Sequence, residues 1–306
     1  MTAAAAASRP LTRRRPASER VIEALLLLAA VVGIFTTVGI IVVLAYQAAD
    51  FFVIVNPIDF LTGTQWSANI QPYHFGVLAL VASTLLVAVI ALLVAIPLGL
   101  LAAIYLAEYA STRVRNVVKP MLETIAGIPT IVLGFFGLTF ITPNLLKPIF
   151  GTSIGTFNGL AAGLVVGLLI TPLIASLSED ALRAVPRGLR EGSLAMGATR
   201  FETTRRVMFP AALSGIMASI ILALSRAIGE TMIVVLCMGT SPKLTLNPLE
   251  SGQTMTAFIA QISGGDTPQG SIQFKSLFAV ALVLFTITLV LNVVSNRIVS
   301  RFRNIY

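Results

Sequence analysis

Charge is scarce in this chain: 11% of its 306 residues are Asp, Glu, Lys or Arg, against roughly 25% in soluble domains. So few charges cannot cover the surface of a water-soluble protein of this length, which sets soluble enzymes and nucleic-acid binders aside. Cysteine occurs once, at Cys237, and histidine once, at His74. That excludes an intrachain disulfide and a Cys/His metal cluster. No segment reads G-x-x-x-x-G-K-[ST], the loop whose amides cradle the phosphates of ATP, so no ATP hydrolysis of its own is expected and no cofactor is implied.

What is abundant is apolar side chain, 56% of residues with a mean hydropathy of +0.92. Six runs are long enough to cross a bilayer, which takes about 20 residues each. They lie near Val21–Tyr46, Phe75–Ala107, Val117–Ile141, Phe157–Leu177, Ala211–Met238 and Leu277–Val299. Their aliphatic and small residues do not alternate with polar ones, so helices are expected rather than barrel strands. The fold class is therefore an all-α polytopic membrane protein with six transmembrane helices over residues 19–306. The first run, Ala24–Ala45, exceeds the 7–15 apolar residues of a secretory signal and is expected to stay as a span. Residues 1–18, rich in Ala, Arg and Pro, are expected to be a disordered basic tail attracted to anionic membrane lipid.

Basic residues fall on one side of this arrangement. The tail, the loop holding Arg113, Arg115 and Lys119, the loop holding Arg183 to Arg206, and the C-terminal end carry all but four of the 21 Lys and Arg. Lys147, Lys243 and Lys275 lie on the other side, and Arg226 lies inside a span. By the positive-inside rule both termini are cytoplasmic, and the plasma or inner membrane of a bacterium or archaeon is the expected location. Pro97, Pro129 and Pro172 interrupt spans, each removing a helical hydrogen bond. Gly99, Ala102, Ala103, Gly134, Gly137, Gly163 and Gly167 permit close helix approach.

The loop 178–210 is mixed in charge and punctuated by Pro186, Gly197 and Pro210, a pattern that predicts two short helices. Leu189, Leu194, Met196 and Phe201 give it apolar contacts that the loop alone cannot bury, as suits a hairpin that docks into another protein. Inside the fifth span, Arg226 and Glu230 stand at i, i+4, a spacing that places both on one helical face. A charge at that depth costs roughly 2.5–3.5 kcal/mol on insertion scales. Two readings compete: a self-neutralising packing pair, or a guanidinium facing the pathway that attracts an anion while Glu230 limits its grip. Glu123, four residues after Lys119, is either an interfacial partner of that lysine or a gate residue. His74 is expected to be structural and Trp66 to be an interfacial or partner-contact aromatic.

The order Glu191, Gly197 six residues on, Val207 ten beyond it, and Phe209-Pro210 resembles the EAA loop, E-A-A-x3-G-x9-I-x-L-P. That loop marks the permease subunits of ATP-binding-cassette (ABC) importers. Gly192, Ser193, Val207 and Phe209 depart from the pattern. The resemblance implies a type I importer permease bundle whose loop is the coupling helix seated in a separate ATPase. Leu189, Glu191, Leu194, Met196, Gly197, Ala198 and Thr199 would then form the ATPase contact.

Four further segments narrow it. His74 to Tyr109, Glu123 to Phe136, Ser178-Glu179-Asp180 and Arg226 to Met232 together resemble the permeases of phosphate-specific transport (Pst), and the Gly-Glu-Thr-Met ending is nearer to the PstC type than to PstA. That resemblance implies a PstA-like second permease, a PstB-like ATPase dimer and an external phosphate-binding protein as partners. It also implies inorganic phosphate as substrate, with Arg226, Glu230, Thr231 and Glu123 on the substrate path. The charges alone indicate only an anion, so sulfate, molybdate or phosphonate permeases stay open. An ATP-independent channel or carrier is the reading of a different class.

Overall fold

Apolar segments leave their backbone amides and carbonyls no partner in lipid except one another, so these runs close their hydrogen bonds as helices. The computed structural model describes residues 17–68, 71–265 and 267–301. Of the expected tail, residues 1–16 lie outside the described residues, and Ala17 and Ser18 belong to the first helix. In chain order the helices are α1 (Ala17–Phe52), α2 (Pro57–Thr62), α3 (Leu78–Ile104), α4 (Thr112–Ala126), α5 (Thr130–Phe136), α6 (Lys147–Phe150), α7 (Gly159–Arg183), α8 (Arg187–Ala195), α9 (Arg200–Thr203), α10 (Phe209–Ile228), α11 (Met232–Met238), α12 (Met255–Gly264) and α13 (Ile272–Arg301). A two-residue antiparallel ladder joins β1 (Trp66–Ser67) to β2 (His74–Phe75).

Among the described residues six helical stretches are long and apolar enough to cross a membrane: Val21–Phe52, Leu78–Tyr109, Thr130–Ser153, Gly159–Arg183, Arg200–Ile228 and Ile272–Arg297. The third differs most from the sequence expectation of Val117–Ile141. Residues 112–126 form a separate amphipathic helix with no buried residue. Pro129 disfavours helical backbone at Ile128, and the chain restarts as a helix at Thr130. The fifth span likewise stops at Ile228 and resumes, after Gly229–Thr231, as α11.

The chain divides into two units after Tyr46. In the first, the described residues are a single continuous helix whose aliphatic side chains from Val21 to Val43 are mostly exposed, as suits lipid as solvent. The second is built around α3 against α7. Small residues set that packing: a Cβ on Gly163 would stand 2.5 Å from Ile90 Cβ, and one on Gly99 would stand 2.8 Å from Ile174 Cβ. Ala91, Ala95, Ala161 and Ala162 fill the rest of the seam, fully buried. Without a hydrophobic driving force between helices in lipid, such close contact is what van der Waals packing requires.

The buried N-terminus of α7 would orphan its first amides, and the loop after α11 returns to accept them. Asn158 N donates to Cys237 O at 2.8 Å, Gly159 N to Glu250 O at 3.1 Å and Leu160 N to Pro248 O at 2.7 Å. The Asn158 side chain takes Ala161 N at 2.7 Å. At the same end, Phe51, Phe60, Trp66, Phe75 and Phe258 form an edge-to-face cluster, with Trp66 and Phe258 centroids 4.8 Å apart. Trp66 is thus a buried core residue and not the interfacial or partner-contact aromatic that the sequence led us to expect. His74, exposed, serves as the ladder partner of Ser67.

Candidate functional site

The loop between α7 and α10 folds as a helical hairpin. Helix α8 ends in a glycine turn: Gly197 takes φ +88°, Gly197 N donates to Leu194 O at 3.0 Å, and Ala198 N donates to Ser193 O at 3.3 Å. These two bonds are the Schellman arrangement, which needs a left-handed residue after the cap. Thr199 then starts α9 with a capping box, its hydroxyl receiving Glu202 N at 3.2 Å and its amide donating to Glu202 Oε2 at 2.9 Å. The hairpin therefore has a fixed angle at its tip. Leu189, Leu194 and Met196 are exposed along the hairpin, the last 89%. Glu191 is exposed beside them and has no hydrogen-bond or ion-pair partner among the described residues.

One residue that sequence reasoning did not single out ties this hairpin to the bundle. Glu108, in the π-helical turn Tyr105–Tyr109 that ends the α3 span, has a side chain only 4% exposed. Its Oε2 lies 3.0 Å from Arg190 Nη2 of α8. A buried carboxylate needs such a partner. The pair borders a cavity of about 480 Å³ that also meets Arg183, Arg187, Glu191, Leu194 and Arg200.

A second charged cluster joins α4 to α7. Lys119 Nζ donates to Glu179 Oε2 at 2.6 Å and to Asp180 Oδ1 at 2.5 Å. Arg183 completes the group, 3.6 Å from Glu179 Oε1. Burial works against the charged form of Lys119, but the bonds and charges of Asp180 and Glu179 outweigh it and hold the ammonium above the ordinary lysine range. Glu123 is not the partner of Lys119. It is exposed on α4, where Ser176 Oγ donates to its Oε1 at 3.1 Å. Arg115, Lys119 and Glu123 share one face of α4 and line a cavity of about 430 Å³.

The residues expected within the fifth span sit at a helix break. Arg226 lies in the last turn of α10, about 26 Å along the axis from Phe209 at 1.5 Å per residue. Because α10 ends at Ile228, the i, i+4 relation to Glu230 does not hold, and the two form no ion pair. Arg226 is exposed and without a partner among the described residues. Glu230 is buried, and its Oε1 receives Ile233 N at 3.4 Å at the start of α11. Thr256 Oγ1 donates to Glu230 O at 2.8 Å. Thr231, half-buried, begins α11, and Ser225 Oγ donates to Asn292 Oδ1 of α13 at 3.1 Å.

The two broken helices are in register. A Cβ on Gly134 of α5 would meet Ile233 and Leu236 of α11, and one on Gly137 would meet Cys237. Cys237 Sγ donates to Gly134 O at 3.3 Å. The two pieces therefore run parallel, which brings the break at 127–129 level with the break at 229–231. Irregular backbone at membrane depth is tolerated only inside protein or along a wet cavity, and discontinuous helices are a recurrent way to build a transport site.

A family model described as "Binding-protein-dependent transport system inner membrane component" matches residues 95–304. The chain is 34% identical over 261 residues to the "Probable ABC transporter permease protein YqgH" of Bacillus subtilis, covering 85% of this chain and 84% of that protein. It is 31% identical over 260 residues to the "Phosphate transport system permease protein PstC" of Mesorhizobium japonicum, covering 79% and 78%. Among solved structures, that of a bacterial ABC transporter "involved in the import of the acidic polysaccharide alginate" contains a chain that superposes with a TM-score of 0.65 at 17% identity, covering 94% of this chain and 97% of that one.

Proposed function

The chain belongs to the family of binding-protein-dependent transport system inner membrane components, and from that premise we propose that it is one permease subunit of an ATP-driven importer of inorganic phosphate. The observation that carries the anion reading is Arg226. A guanidinium at membrane depth, exposed and unpaired, beside two aligned helix breaks, is costly unless a wet path or an anion meets it. A planar guanidinium matches an oxyanion with two parallel bonds. Relatives named for phosphate transport, at about 30% identity, support phosphate over other anions.

In this reading both termini and the hairpin face the cytoplasm, and α8 seats in a PstB-like ATPase through Leu189, Glu191, Leu194, Met196, Gly197, Ala198 and Thr199. A PstA-like second permease completes the pathway, and an external phosphate-binding protein delivers the substrate. Closure of the ATPase pair pushes α8, and the Glu108–Arg190 pair passes that motion to α3. Glu230 acts from within the break, shaping α11 beside the path, while Thr231 and Glu123 line it above and at its inner mouth. A second reading, transport of sulfate, molybdate or phosphonate, follows from the same guanidinium, since one Arg does not choose among oxyanions.

The test is uptake of labelled phosphate in a strain lacking this gene, with and without excess sulfate. The native copy restores uptake that sulfate does not compete, whereas Arg226→Gln lowers it by about tenfold or more, the loss of one charge-assisted contact. Unchanged uptake in that variant would remove Arg226 from the path. Competition by sulfate would favour the second reading. Glu191→Ala is expected to leave ATP hydrolysis near its basal rate while uptake falls, and normal uptake would refute the coupling role.

A further inference from the structure

Beside the hairpin, a groove of about 470 Å³ opens between the end of α3 and the start of α10, and of its lining only Phe201 has been given a role above. It is lined by Leu101, Tyr105, Tyr109, Phe201 and Phe209. Tyr105 is 50% exposed and Phe201 64%. Both walls are π-helical, Tyr105–Tyr109 on one side and Thr204–Met208 on the other. A third π-helical stretch, Gly137–Leu146, lies away from the groove. A single basic group, Arg205, stands on the wall. Arg183 and Arg190, on other elements, each hold a carboxylate, but Arg205 has none among the described residues.

We propose that this groove binds one anionic phospholipid, its acyl chain along Leu101 and Phe209 and its phosphate on Arg205. Three features favour lipid over a protein occupant. The groove lies at the ends of two membrane spans, Leu78–Tyr109 and Arg200–Ile228, where lipid headgroups meet the protein. Tyrosines at that level belong to the interfacial aromatic belt, apolar at one end and wet at the other. An unpaired guanidinium above an apolar trough complements a molecule with an anionic head and a hydrocarbon tail, and basic pockets between spans recognise such headgroups. Of the four apolar residues that the sequence offers to a protein partner, Leu189, Leu194 and Met196 lie on or just after α8, away from the groove, and only Phe201 of α9 edges it. The orientation given under the proposed function places this groove in the inner leaflet; binding itself does not rest on that orientation.

The experiment uses the full-length chain with its co-purifying subunits, delipidated in detergent and titrated with phosphatidylglycerol or phosphatidylcholine under native mass spectrometry. One phosphatidylglycerol per chain is expected to bind more tightly than phosphatidylcholine. Arg205→Gln should weaken it about fivefold to tenfold. Leu101→Trp fills the trough and keeps the charge, so it should weaken both lipids. Excess inorganic phosphate should not displace the bound lipid. Equal binding of the two lipids, an unaltered affinity in both variants, or displacement by phosphate would overturn the proposal. So would protection of Phe201→Cys from maleimide by a co-purified subunit in lipid-free detergent. None of these outcomes depends on phosphate uptake, so failure here and failure of the transport reading are told apart.

Discussion

The carboxylate of Glu108 shows how a residue can matter through a partner 82 positions away. Replacing either member of the Glu108–Arg190 pair leaves the other charge poorly satisfied. Arg190 is about a third exposed, so solvent screening keeps the loss at about 1–2 kcal/mol, below the figure for a fully buried pair. Glu108→Gln and Arg190→Met are each expected to lower phosphate uptake per ATP hydrolysed. The double variant should be no worse than the poorer single one, which is the signature of residues acting together. Losses that simply add would show that the pair does not transmit the motion. Glu108 was visible in the sequence only as part of the Ala-Glu-Tyr segment that closes an apolar run, since nothing local names its partner. The same holds for Lys119, whose nearest carboxylate in sequence, Glu123, is not the one it binds. Arg226 stood out because a charge inside an apolar run is a local anomaly, yet its separation from Glu230 did not, because that depends on where α10 ends.

Helix ends were legible where glycine and proline fall among polar residues and harder to read where the same punctuation sits inside an apolar run. The hairpin at 187–208 could be anticipated from Pro186, Gly197 and Pro210, each with a defined backbone preference. The break at 127–129 carries Gly127 and Pro129, but the aliphatic residues around it let a window of about 20 residues run straight across, so Pro129 was read as a kink within a span and an amphipathic helix was absorbed into it. Two glycines of the hairpin give a test with opposite signs. At Gly197, φ of +88° is left-handed backbone, so Gly197→Ala is expected to destabilise the turn by about 1–2 kcal/mol. At Gly192, inside α8, a Cβ would meet nothing within 4 Å, and Gly192→Ala is expected to stabilise the helix by about 1 kcal/mol. Hydrogen exchange at the α8 amides separates the two: faster in the first variant, slower in the second. If both variants exchanged alike, the rigidity attributed to the tip would be unsupported.

At the scale of the whole molecule, six spans and a one-sided distribution of basic residues follow from local composition, which is why they could be read before any contact was known. Which faces pack, and which meet lipid or another subunit, depends on distant residues such as Gly163 with Ile90. Orientation is the molecular property that the transport reading most needs, because the hairpin and its ATPase must share a compartment. It can be tested with a thiol label, since the only cysteine is buried and its thiol is engaged by Gly134 O, leaving little background. Met196, 89% exposed at the hairpin tip, and Leu246, 75% exposed in the loop between α11 and α12, lie on opposite sides of the fifth span. With single cysteines at these positions in intact cells, an impermeant maleimide is expected to label Leu246→Cys alone, and Met196→Cys only after the membrane is opened. The reverse pattern would put the hairpin outside, where no ATP is present, and would end the case for an ATP-driven importer whatever the chemistry of Arg226.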